Sequence, residues 1–96
     1  MKFMPRKPIT GDLKLVRQAF GLTITELRKA SGLQQERVAF ESEVDRGYMS
    51  GLERGLHSPT LDTVMKLLWR LNIDFVAFAM IFDGQLKRLK RNKTKS

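Results

Sequence analysis

The sequence predicts a small all-α domain of five helices. Three observations carry that expectation. Apolar residues recur at three- and four-residue spacing through most of residues 13–71, Asp, Ser or Thr stand where periodic segments begin, and glycines stand where two of them stop. A chain of 96 residues has room for one domain with a modest core, and its 42% hydrophobic content is ordinary for a globular protein.

Residues 1–9 contain Pro5 and Pro8 among Lys2, Arg6 and Lys7, and read as a flexible basic arm. A domain over residues 10–74 follows. Its first helix starts near Thr10 or Asp12, either of which can accept hydrogen bonds from the unpaired amides of a first turn. Leu13, Val16, Phe20, Ile24 and Leu27 then line one face, and Gly21 leaves open whether this is one long helix or two. Ser31-Gly32 ends it, with Gly32 suited to a left-handed terminal position. A short second helix runs from about Gln35 to Ser42 and turns Val38, Ala39 and Ser42 inward. Asp45 caps a third, whose buried side is Met49 and Leu52, with Val44 just ahead and Gly55 at its end. Ser58-Pro59-Thr60 is a turn and a new cap, after which Leu61, Val64, Leu68 and Leu71 share one face of a fourth helix.

Residues 75–90 fit two periods. Phe75, Phe78, Ala79, Phe82, Leu86 and Leu89 suit a helix, whereas the alternating Val76, Phe78, Met80 and Phe82, followed by Asp83-Gly84, suit a strand and hairpin. The helix is preferred. Residues 91–96 read as a basic, disordered tail, and no internal repeat is visible.

Charge is unevenly placed. The net +8 comes from +3 before residue 9 and +5 from Asp83 onward, while residues 9–82 hold nine groups of each sign. Basic ends of this kind either keep a chain soluble or strengthen contacts to phosphates in a salt-dependent way. The absence of cysteine removes disulfides, thiol catalysis and thiolate metal sites, and fits a reducing, cytoplasmic setting. No apolar run approaches the roughly 20 residues of a membrane helix, and the N-terminus lacks a signal-like apolar stretch, so no membrane partner is expected. His57 is the only histidine and has no carboxylate pair nearby, and Gly47, Gly51 and Gly55 lack the Lys-Ser/Thr ending of a phosphate loop. The expectation is a non-enzyme without metal or cofactor.

Two short helices joined by a tight turn occupy Gln34 to Gly55. Ala39 falls where a larger side chain would keep the third helix from crossing the second closely, and Val44 and Met49 close the small core between them. The third helix is left with one exposed face of Arg46, Gly47, Ser50 and Arg54, with Tyr48 at its edge. A B-form major groove is wide enough to accept such a helix.

Five pieces in this order carry a family resemblance: F-G-x-x-I-x-x-L-R at Phe20–Arg28, G-L-x-Q-E at Gly32–Glu36, V-A at Val38–Ala39, Y-x-S-x-L-E-R-G at Tyr48–Gly55 and S-P-T-L-x-T at Ser58–Thr63. With them, Phe20–Ile73 resembles the helix-turn-helix domain of the lambda Cro and repressor type, also called Xre-like. Asp45–Gly55 is most similar to the controller proteins of restriction-modification systems, with phage repressors close behind. The resemblance implies a five-helix lambda-repressor-like helix-turn-helix domain that regulates transcription by binding a symmetric double-stranded DNA operator as a homodimer.

It also implies roles for matching residues. Gln35, with Gln34 beside it, lies at the start of the second helix where family members contact a phosphate, and a helix N-terminus favours an anion. Arg46 takes the first recognition position and can hold guanine O6 and N7 bidentately. Tyr48 is placed to touch a thymine methyl or a phosphate, Gly47 and Ser50 share that surface, and Arg54 reaches the backbone. Arg28 and Glu53 match an ion pair that joins the first helix to the third. Trp69 stands where the family pattern is exposed, and Phe75, Phe78 and Phe82 exceed what a five-helix monomer readily covers; the four read either as core packing or, the preferred reading, as the two-fold dimer interface formed with residues 75–90.

Some residues depart from the pattern. Glu43 fills a turn position usually held by glycine, so a positive φ there would be strained. Gly47 and Gly51 lie inside the recognition helix at about 0.8–1 kcal/mol each relative to alanine, which fits either close approach to DNA or a surface with few specific contacts. Glu43 and Asp45 add negative charge near the groove. Two other readings stay open: an antitoxin whose C-terminal segment masks a toxin partner, which a C-terminal strand would favour, and a protein-interaction module without specific DNA readout.

Overall fold

Among the described residues five helices form where the apolar period and the caps place them: α1 (Leu13–Ala30), α2 (Gln35–Glu41), α3 (Arg46–Glu53), α4 (Leu61–Leu71) and α5 (Phe75–Lys95). The structure is a computed structural model and describes residues 11–95; the arm expected at residues 1–9 lies outside them.

Local chemistry accounts for the ends. Asp12, not Thr10, starts α1, its Oδ1 accepting from the Lys14 and Leu15 amides at 3.0 and 3.3 Å. Asp45 Oδ2 accepts from the Tyr48 amide at 3.1 Å to open α3, and Thr60 Oγ1 from the Thr63 amide at 3.2 Å to open α4. Gly32 and Gly55 take φ of 69° and 76° just past α1 and α3, the left-handed stop that glycine adopts without strain. Asn72 ends α4 the same way at φ 58°, and Asp74 Oδ1 accepts from the Ala77 amide at 2.8 Å to start α5.

Gly21 does not interrupt α1, which runs unbroken through it. A Cβ at Gly21 would lie 2.5 Å from the Glu53 carbonyl oxygen and 2.6 Å from that of Leu52. The glycine therefore lets the backbone of α1 cross the end of α3 at a distance that any side chain forbids.

The core is Phe20 and Ile24 of α1, Val38 and Ala39 of α2, Met49 and Leu52 of α3, Val64, Leu67, Leu68 and Leu71 of α4, and Phe78 of α5. Ser42 is buried as expected and Val44 packs against this cluster. The apolar stripes read from the sequence run past the core at their ends: Leu13, Val16 and Leu61 are exposed, and Val16 and Leu61 line an open crevice beside Phe20, Val64 and Phe78. Ala19 and Thr23 share the inner face of α1 instead, with the Thr23 hydroxyl donating to the Ala19 carbonyl at 2.8 Å.

The C-terminal segment corrects one expectation and resolves another. Residues 75–90 are helical, and Asp83-Gly84 sits inside the helix rather than in a hairpin turn. The tail expected to be disordered at residues 91–96 continues that helix as far as Lys95. Leu86 and Leu89 are half-buried, α5 packs extensively along α1, and Lys93 Nζ is paired with the Asp12 carboxylate. The stretch after Gly84 contains no further glycine or proline and is rich in Lys, Arg and Leu, which are good helix formers.

Candidate nucleic-acid interface

What orients α3 is a buried polar knot. Arg28 of α1 presents its guanidinium fork to Glu53 at the end of α3, with Nε 2.6 Å from Oε2 and Nη2 3.0 Å from Oε1. Its third nitrogen, Nη1, donates to the Leu33 carbonyl at 2.9 Å, and Gln35 Nε2 of α2 donates to Glu53 Oε1 at 3.0 Å. The Arg28 and Glu53 side chains are only 12% and 6% exposed. Burial works to raise the Glu53 pKa, but hydrogen bonds from Arg28 and Gln35 and the Arg28 charge outweigh it and hold the carboxyl below its ordinary value. Glu53 in turn raises the Arg28 pKa. The Glu53 carboxylate of α3 thus joins α1 and α2, and Arg28 extends the knot to the α1–α2 connection, which ties the two short helices together.

This arrangement modifies the role expected of Gln35. Its side chain is half-buried and one amide hydrogen is committed to Glu53, so its first task is internal. Gln34 is exposed at the N-cap position of α2 and makes no side-chain cap bond.

Arg46, Gly47 and Arg54 are exposed along the outer side of α3, and Ser50 is half-buried between them. Arg46 Nη1 stands 3.7 Å from Glu36 Oε2 with both side chains 70% exposed. An open pair of this kind is worth at most about 1 kcal/mol and does not prevent the guanidinium from turning to a base edge. A Cβ at Gly47 would meet nothing closer than the Asp45 carboxylate at 3.2 Å, so the surface there is flat and unobstructed. Glu36, Glu43 and Asp45 are exposed around the same end of α3, which leaves its outer surface close to electrically balanced.

Tyr48 is less available than its edge position implies. Its ring stacks on His57 with centroids 5.2 Å apart and planes inclined by 15°, and its hydroxyl lies 3.5 Å from the Ser58 carbonyl. Gly51 explains the stack, because a Cβ there would come within 2.3 Å of the His57 ring. Gly51 is buried and makes room for the returning α3–α4 segment, which is neither of the two roles its helix position implied. His57 belongs to the scaffold of the site, and sequence reasoning missed it. Its contacts arise only when the chain folds back over α3, and nothing in the local pattern announces that.

The four residues expected at a dimer interface divide into two pairs. Trp69 on α4 is 71% exposed, and it lines a shallow depression with Phe75, Met65 and Ile73. Phe78, by contrast, is 6% exposed, sets its ring edge-on to Phe20 at 5.9 Å and belongs to the core. Phe82 is half-buried and stacks on Phe78 at 5.8 Å. The crossing of α5 over α1 turns these two rings inward, and Phe78 is thereby withdrawn from any surface contact. Val76 and Met80, one turn apart on α5, are exposed in their stead and join Trp69 and Phe75 as outward apolar residues.

Residues 24–78 match the helix-turn-helix family HTH_3, more than half of the chain, and the chain belongs to this family. Within it, the chain is similar to the control protein C.BamHI of Bacillus amyloliquefaciens, at 31% identity over 84 residues that span 83% of this chain and 100% of the relative. Among solved structures it is similar to the restriction-modification controller protein C.AhdI of Aeromonas hydrophila, with TM-score 0.59 and 43% identity over 60% of this chain and 88% of that one. It is also similar to the controller protein C.Esp1396I, solved as a tetramer with its natural 35 base-pair operator, with TM-score 0.69 and 25% identity over 74% and 93% of the two chains. Among the described residues no helix is long and apolar enough to cross a membrane.

Proposed function

We propose that this chain is a cytoplasmic transcriptional regulator of the controller type, which binds a two-fold-symmetric DNA operator as a homodimer. The observation that carries this reading is the rigid presentation of α3: Arg28, Gln35 and Glu53 lock its inner side while Arg46, Gly47, Ser50 and Arg54 face outward. In the proposed complex α3 enters the major groove from its N-terminal end. Arg46 leaves Glu36 and grips a guanine edge, which discriminates by about 1–3 kcal/mol. The backbone at Gly47 approaches the bases, Ser50 makes a lesser contact on the same surface, and Arg54 and Gln34 hold phosphates on either side. Gln35 and Tyr48 act mainly by holding the frame. The exposed Trp69, Phe75, Val76 and Met80 pair with a second copy, and the operator-bound tetramer of C.Esp1396I supports self-association in this group.

An antitoxin reading loses the feature that would favour it, since residues 75–90 form a helix and not a strand. Selection of bound duplexes from a random pool, run in parallel with Arg46→Ala, tests the proposal. The native chain should enrich an inverted repeat with half-sites about one helical turn apart. The variant should lose its guanine preference at one position of each half-site. Recovery of the same motif by both proteins removes Arg46 as a reader of bases, and failure to enrich any motif leaves a protein-interaction module as the better account.

A further inference from the structure

The protein's positive charge is concentrated away from the recognition helix. Residues 87–95 carry Lys87, Arg88, Lys90, Arg91, Lys93 and Lys95 with no acidic residue among them, whereas the outer end of α3 sets Arg46 beside Glu36, Glu43 and Asp45. The helical continuation of α5 gives the part of this charge from Lys87 to Lys93 a definite place. Leu89 lines a crevice with Gln18 and Leu22 of α1 and with Glu53 and Arg54 at the end of α3. One turn further on, Lys93 is paired with Asp12 at the start of α1, so the basic half-helix is pinned to the body of the domain at two points. Lys87, Arg88 and Lys90 between and around these anchors are exposed; Lys87 bonds only to its own helix neighbour Asp83 at 2.9 Å, and Arg88 to Gln85 at 2.7 Å.

We infer that the C-terminal half of α5 is a second phosphate-binding surface, which grips the DNA backbone flanking the site read by α3. This inference rests on the DNA-binding reading above and adds a separate contact to it. The placement beside Arg54 is what favours duplex DNA. The eight residues of α3 span only about 12 Å, close to the width of the major groove, so in the proposed complex a cationic helix anchored beside the C-terminal end of α3 lies within reach of the phosphates bordering that groove. An anionic membrane surface is the weaker partner. Helices that lie on membranes expose large apolar residues opposite their cations, whereas Leu86 and Leu89 are half-buried against the domain and the exposed Val76 and Met80 lie in the other half of α5. Because lysine and arginine contacts to phosphate carry no sequence information, the surface adds affinity without changing the preferred site.

The test is a salt titration of the full chain against the triple variant Lys87→Gln, Arg88→Gln, Lys90→Gln; glutamine is a good helix former, and circular dichroism checks that α5 persists. Each lost phosphate contact reduces the slope of log affinity against log salt by about 0.9. With duplexes extending about ten base pairs beyond the site, the slope should become shallower by roughly one to three units, with equal loss of affinity for selected and random sequences. A duplex trimmed to the site itself should bind both proteins alike. An unchanged slope on the long duplex overturns the inference while leaving the function of α3 intact, and so does a loss confined to vesicles containing phosphatidylglycerol. A reduced slope in a protein that shows no site preference would uphold the phosphate surface and sink the operator reading alone.

Discussion

Glu43 occupies the turn between α2 and α3 at φ 56°, a left-handed backbone in which Cβ crowds the following carbonyl oxygen at about 1–2 kcal/mol. Asn72 takes a similar φ but is a residue that tolerates it. Replacing Glu43 by glycine relieves the crowding and concedes about 0.4–1 kcal/mol of extra freedom in the unfolded chain. Glu43→Gly should therefore gain about 0.5–1 kcal/mol and raise the thermal midpoint by a few degrees. A calorimetric midpoint that stays put or falls would argue against strain at this turn. Gly21 and Gly51 answer to space and not to φ. At Gly21 the obstructing atoms are backbone carbonyls of α3, which cannot move without separating the helices, while at Gly51 the obstruction is the His57 ring, which can swing into solvent at the expense of its stack on Tyr48.

Between elements, ion pairs join the helices beside the apolar packing. On the outer side of α2, Glu41 accepts from Arg70 of α4 at 2.5 Å and from Arg37 at 3.4 Å, and the Arg70 hydrogen bond chiefly holds its carboxyl below the ordinary value. On the inner side the Arg28–Glu53 pair is well covered, so removing either partner leaves a charge with poor hydration and should destabilise the fold by about 2–4 kcal/mol. The pH dependence follows from the lowered pKa of Glu53. Its stabilisation is complete above the unfolded value of about 4.3 and disappears as pH falls through the lower folded value. Thermal midpoints should drop steeply on acidification below about pH 4.5, and Glu53→Gln should be less stable at pH 7 with a flatter acid limb. Parallel acid limbs in the two proteins would show that Glu53 is not the group responsible. Asp12 and Glu41, also lowered, act in the same direction.

For the molecule as a whole, the aromatic residues of α4 and α5 serve two ends. Phe78 and Phe82 close the core over α1, and Trp69 and Phe75 with Val76 and Met80 face solvent. Trp69→Glu should leave the monomer fold intact, because little surface is buried there, and should shift sedimentation at tens of micromolar from dimer toward monomer. A native chain that sediments only as monomer, or a variant that stays dimeric, would place the interface elsewhere or remove it. Operator binding should weaken together with dimerisation, since the two recognition helices must be set one turn of DNA apart.

Sequence by itself determined the parts whose causes are local. The caps at Asp45 and Thr60 and the stops at Gly32 and Gly55 depend on backbone groups a few residues away and stand where the sequence places them, and Asp12 is one of the two caps it offered for the first helix. The outward face of Arg46, Gly47 and Arg54 was legible from the period of the third helix, and the pairing of Arg28 with Glu53 only through the family resemblance, since no local pattern joins residues 25 positions apart. Tertiary structure alone decided the rest. The apolar residues of 75–89 satisfy both the helical and the alternating period, and only the face that α1 offers selects the helix, extends it to Lys95 and turns Phe78 in while leaving Met80 out. Likewise Tyr48, Gly51 and His57 acquire their roles when a distant segment returns across α3. A period of 3.6 tells which residues share a face, but which face is covered depends on the neighbour that packs against it.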